Sequence, residues 1–92
     1  MDLQLIRELA QSMGVSEKEV LMLAQGIVND LQADRVDGLF VEADEKTQCE
    51  FVQAYAAHQV KKFRNFHTTY LTNPSARHSF QESVHALLTA KN

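Results

Sequence analysis

Apolar residues fall at three- and four-residue steps along most of this chain, the period of a helix with one buried face. Leu3, Ile6, Leu9, Ala10 and Met13 make such a stripe and predict a first helix from about Asp2 to Met13. Gly14 follows at once, where a glycine just past the last periodic residue commonly closes a helix. Ser16 with Glu19 three positions on reads as a capping box, and Val20, Leu23, Ala24, Ile27 and Leu31 carry a second helix that fades near Asp34. Residues 35–43 lose the period. Asp37-Gly38 is a turn signal, and the short apolar runs beside it favour an irregular loop pinned by Leu39 and Phe40 over a hairpin, whose strands would be too short to stand alone.

The period returns after Asp44, which reads as an N-cap. Cys49, Val52, Ala56, Val60, Phe63, His67 and Tyr70 sustain it to about Leu71, with Phe51, Tyr55 and Phe66 widening the stripe. A helix of that length reaches roughly 40 Å, in a domain whose radius of gyration should be about 13 Å. It must bend, or protrude and pair with a second copy. Asn73-Pro74 then reads as N-cap and first residue of a fourth helix with Phe80, Val84, Leu87 and Leu88 on its core side. The expected fold class is all-α: a compact four-helix domain with a long third helix, one domain over residues 1–92.

Composition supports this. One proline and three glycines leave little material for the many turns of an all-β fold. Cys49 is the single cysteine, so no internal disulfide can form. No apolar run approaches the roughly 18–20 residues that span a bilayer, and MDLQLIREL lacks the basic start and apolar segment of a secretory signal. The expectation is a cytoplasmic protein that does not engage a membrane.

Charge changes the picture most. Residues 1–50 hold eleven carboxylates against four Lys and Arg, a net −7, whereas residues 51–92 hold five cations against Glu82 alone, a net +4. All four histidines lie in the second half. Such asymmetry marks a surface suited to a charged partner. If the segment around residues 58–68 is helical, His58, Lys61, Asn65 and Thr68 share one face, with Lys62 and Arg64 at its borders. Arg64 can grip a carboxylate or phosphate with two hydrogen bonds, and the lysines act as point charges. The competing account is a solvated face neutralised by Asp30, Asp34, Asp37 or Glu42 of the same chain. Phe63, Phe66 and Tyr70 have the spacing of core residues rather than of a base-stacking platform.

Residues 6–24 resemble a helix-turn-helix tract. Ala10 is small where the two helices would cross, Gly14 supplies the turn, Val15 plugs the corner, and Val20 and Leu23 point back at the first helix. The resemblance implies an N-terminal helix-turn-helix-like pair whose second helix would read DNA. The matching outward positions are Ser16, Glu17, Lys18, Leu21, Met22 and Gln25. Glu17 and Glu19 repel phosphate, and Leu21 and Met22 offer base edges no donor. Those two instead complete a turn, Val20 to Ala24, that is apolar all round. Such a turn is covered on more than one side, by the internal core or by self-association.

Catalytic signals are thin. His78, Glu82 and His85 share a face of the last helix, but zinc wants at least three protein ligands and no HExxH is present. His67 lies on the apolar stripe and reads as a hydrogen-bonded core residue, and Cys49 reads as a buried, inert thiol. No phosphate loop or nucleophile elbow occurs, so neither a catalytic residue, a metal nor a cofactor is expected. The function expected is that of a small non-enzymatic regulatory or adaptor protein. It would bind an acidic protein surface, or itself as a dimer, through His58, Lys61, Lys62, Arg64, Asn65 and Thr68, with Leu21 and Met22 available for self-association. The second hypothesis is a helix-turn-helix DNA-binding regulator.

Overall fold

Six α-helices and no strand make up residues 3–90, the part of the chain that the computed structural model describes. The expected start at Asp2 lies outside the described residues. α1 spans Leu3–Met13 and α2 Glu17–Ala33. Gly14 sits between them in the left-handed region at φ +68°, with Val15 N–H bonded to the Ala10 carbonyl and Gly14 N–H to Gln11. These are the two bonds of a Schellman ending. Ser16 Oγ accepts from Glu19 N–H at 3.1 Å, so the serine half of the expected box forms. Ile6, Leu9, Ala10 and Met13 on α1 are buried, as are Val20, Leu23, Ala24, Ile27, Val28 and Leu31 on α2.

The segment expected as a loop is a short helix, α3, Asp37–Glu42. α2 ends in a second Schellman pair, Val36 N–H to Leu31 O at 2.9 Å and Arg35 N–H to Gln32 O at 3.1 Å. Arg35 occupies the left-handed position at φ 59°, where glycine is the usual residue. The reversal drops Val36 onto Leu31 and starts α3, whose Phe40 is buried.

The single long third helix is not formed. α4 spans Glu45–His58, residues 59–63 make a turn, and α5 spans Arg64–Thr72. Asp44 caps α4 as expected, accepting from Thr47 N–H at 2.7 Å. The reason for the break is packing. A straight rod of roughly 40 Å does not fit a body measuring 31 × 25 × 21 Å. Turning at 59–63 lets α5 fold back against α1 and α6 as well as α4. Phe66 then stacks on Tyr70 with centroids 5.5 Å apart, and both meet Phe80 edge-on at 5.3 and 5.9 Å.

α6, Pro74–Thr89, opens at Asn73, whose side chain accepts from Ala76 N–H at 3.2 Å. It packs against all five other helices. A helix enclosed in this way buries more than one stripe. Ala76, Phe80, Gln81, Ser83 and Val84 are buried, whereas Leu87 and Leu88, expected in the core, are half-buried at its edge. The architecture is therefore all-helical, with six helices among the described residues and α6 at the centre. No helix among them is long and apolar enough to cross a membrane.

Candidate functional site

The residues expected to bind a partner lie at a corner. His58 ends α4, Lys61 and Lys62 sit in the 59–63 turn, and Arg64, Asn65 and Thr68 occupy the first turns of α5. They do not share one helical face, because the helix that would have aligned them is interrupted. All six are exposed. Thr68 Oγ1 donates to the Arg64 carbonyl at 3.2 Å, so its proton is spent on its own helix. Lys62 Nζ lies 5.7 Å from the centre of the Phe63 ring, within cation–π reach. The ion pairs among the described residues are Arg7–Glu17, Lys46–Glu50, and His78 with both Glu45 and Glu82. None involves Lys61, Lys62 or Arg64, and none involves Asp30, Asp34, Asp37 or Glu42.

Leu21 and Met22 are not taken into the core. Leu21 is half-buried and Met22 is 44% exposed, while Val20, Leu23 and Ala24 on either side are buried. Helix packing covers three positions of that turn and leaves two.

A second cluster, absent from the sequence expectations, lies where α4 crosses α6. Gln48 and Gln81 are only 4% and 3% exposed. Gln48 Nε2 donates to the Phe40 carbonyl at 2.6 Å, with Val41 O at 3.4 Å, so Phe40 O has a second donor at the end of α3 beside Ala43 N–H at 3.2 Å. The same Nε2 lies 3.0 Å from His85 Nδ1, and the Gln81 amide donates to Gln48 Oε1. The Gln48 amide nitrogen only donates; with one proton directed to the α3 carbonyls, the other meets His85 Nδ1, which then acts as acceptor and carries the imidazole proton on its Nε2. Around this core is a cleft of about 360 Å³, lined by Glu45, His78, Glu82 and Thr89 as well. His78 Nδ1 lies 2.6 Å from Glu45 Oε1 and its Nε2 3.0 Å from Glu82 Oε1. Both contacts are hydrogen bonds only for the doubly protonated ring.

The cleft is thus a lock. Gln48 ties α3 to α4, Gln81 and His85 tie α4 to α6, and His78 bridges the carboxylates of both helices. His78, Glu82 and His85 do share one face of α6, but both His78 ring nitrogens and Nδ1 of His85 are turned to these partners. Among the described residues no three His, Cys, Asp or Glu are grouped to hold a metal ion. Cys49 is half-buried, and its thiol is pushed up first by burial and then by the Glu45 charge. His67 is half-buried and makes no side-chain hydrogen bond, contrary to the core role expected for it. A signal for the cluster existed: Gln48, Val52 and Ala56 are spaced by four, and Gln81 precedes Val84 and Leu88 by three and seven. Read by period alone, both glutamines fall on buried stripes. No protein-family model, no curated protein and no solved structure matches the chain.

Proposed function

We propose that this chain is a small non-enzymatic adaptor that docks on an acidic macromolecular surface through the corner formed by Lys61, Lys62 and Arg64. The observation that carries this reading is that all three cations are exposed and outside the ion pairs of the described residues. The described carboxylates of the acidic first half leave them unanswered. Three cations within four residues form a concentrated positive field, which steers encounter with an anionic partner and fixes its orientation. Arg64 suits a planar carboxylate, while Lys61 and Lys62 suit a looser field. The test is reversal of Lys61, Lys62 and Arg64 to Glu. Partner capture from cell extract by the immobilised protein should be lost with helicity intact; unchanged capture removes the corner from consideration.

A second reading, DNA binding through α2, is favoured by one feature: the α1–α2 turn with Gly14 at φ +68° has the form that the helix-turn-helix resemblance requires. Its outward face argues the other way, since Glu17, Leu21 and Met22 stand where donors to bases would be needed. Gel shifts on duplex DNA separate the two. Binding by α2 should weaken steeply between about 50 and about 200 mM salt and depend on Lys18.

A further inference from the structure

Four large apolar side chains stand exposed among the described residues: Leu3 (66%), Met22 (44%), Leu39 (68%) and Phe51 (39%). They belong to two separate faces. Leu3 borders a groove of about 350 Å³ between α1 and α2, floored by Ile6 and Leu21 and edged by Arg7, Glu17 and Lys18. Met22 follows Leu21 on α2, one turn beyond Lys18. Leu39 and Phe51 border a groove of about 190 Å³ between α2, α3 and α4, with Leu31, Val36 and Phe40 beneath. Phe51 continues it into a hollow edged by Asp30 and Asp34. From Leu21 to Leu31 is ten residues, about 15 Å along α2, so the two faces sit toward opposite ends of that helix.

The first groove is edged by Arg7 and Lys18 beside Glu17, and the hollow adjoining the second is edged by Asp30 and Asp34. Lys18 belongs to none of the ion pairs among the described residues, and Arg7 meets only Glu17, at 3.4 Å. Asp34 has no cation, and Asp30 accepts only from the Tyr55 hydroxyl. Exposed apolar area gathered in patches with a polar rim marks interaction surfaces. Here each patch has its complement on the same chain.

We propose that the Leu39–Phe51 groove receives the Leu3–Leu21–Met22 face of a second copy, a head-to-tail contact that covers all four exposed apolar side chains. Burial of those side chains supplies the affinity. The rim charges, Lys18 and Arg7 against Asp30 and Asp34, set the direction, since exposed pairs contribute little each. Each copy carries both faces, so a two-fold pair would make the contact twice; the placement of the faces toward opposite ends of α2 favours the head-to-tail arrangement, which adds copies in chains or a ring. It uses neither Lys61, Lys62 nor Arg64, so its failure and that of the docking corner are separately visible.

The experiment is light scattering and sedimentation of the full chain from about 10 µM to about 1 mM, a range that reports contacts of millimolar Kd or tighter. Wild type should gain mass with concentration. Leu39→Glu and Met22→Glu should each weaken assembly by about tenfold or more, with helicity unchanged. Mixed together, they retain one sound groove and one sound α1–α2 face, and should form a 1:1 pair that grows no further. Should either glutamate variant lose helicity, Leu39→Ser and Met22→Ser make the same test. A wild type that stays at monomer mass overturns the proposal and leaves the groove to a different partner. So does a dimer that survives both substitutions, or a mixture that fails to pair.

Discussion

Gln48 on α4 holds the end of α3 by donating to the Phe40 carbonyl at 2.6 Å, and the same amide meets His85 and Gln81 of α6. α3 has six residues and no side-chain cap at its start. Helices so short do not persist alone. A donor from another helix reinforces its last turn, where Phe40 O also accepts from Ala43 N–H at 3.2 Å.

Gln48→Ala would leave the Phe40 carbonyl and the Gln81 amide buried without that partner. The expected loss is about 3 kcal/mol, read from urea denaturation, with α3 exchanging its amide protons first. Gln81 already has one orphan, since its Oε1 is buried with no partner. Gln81→Met should therefore cost only about 1 kcal/mol, because it removes an unpaired acceptor along with a donor. Equal losses in the two variants would refute the account of Gln48 as the centre of the network.

Gly14 and Arg35 occupy the same left-handed position at the ends of α1 and α2. No atom lies within 4 Å of where a Gly14 Cβ would be, so the cost of Gly14→Ala is conformational, about 1 kcal/mol. Arg35→Gly should do the reverse and stabilise by about 0.5 kcal/mol or more. Thermal unfolding of the two variants should shift in opposite directions.

Tyr70 is completely buried and its hydroxyl has no hydrogen-bond partner. An unpaired buried hydroxyl costs about 1–3 kcal/mol. Tyr70→Phe keeps the ring against Phe66 and Phe80 and removes that cost, so the variant should be more stable than the wild type. A lower denaturation midpoint would show that the hydroxyl is satisfied in solution.

Alkaline pH should loosen the fold through Tyr55. Its phenol is pushed up to about 12, first by burial and then by the 2.7 Å hydrogen bond to Asp30. Burial raises Tyr70 as well. In the unfolded chain both ionise near their ordinary value of about 10, so the unfolded state releases protons first. The stabilisation is complete below pH 10 and is lost as pH climbs toward 12. Thermal midpoints should fall across that window, and Tyr55→Phe should flatten the fall. A titration of phenolate absorbance that finishes near 10 would contradict the burial.

What the residues disclosed in advance was local. Ser16, Asp44 and Asn73 each announce a helix start because the capping oxygen and its amide are three positions apart. Gly14 announces an end because it takes the left-handed φ of +68° at little steric cost. The break at 59–63 carries no such mark: Lys61 and Lys62 are good helix formers, no glycine or proline is near, and the bend exists because Phe66 and Tyr70 must reach Phe80. Asp37-Gly38 reads as a turn, since nothing within α3 reveals a cap contributed by Gln48. The basic corner was visible as a list of residues, but its shape was not, because that shape depends on the interruption. Gln48 and Gln81 are polar side chains on otherwise apolar stripes, and only the crossing of α4 and α6 gives each the partner that lets it be buried.

α6 touches every other helix and follows them all in chain order. As the polypeptide leaves the ribosome, the aromatic rings of α5 and the amide of Gln48 emerge before the segment that shelters them. Until Phe80, Gln81 and Val84 arrive, the first five helices lack the helix that each of them packs against. A chain cut before Pro74 should accordingly melt without a cooperative transition, because α6 supplies the surface that the other five helices share.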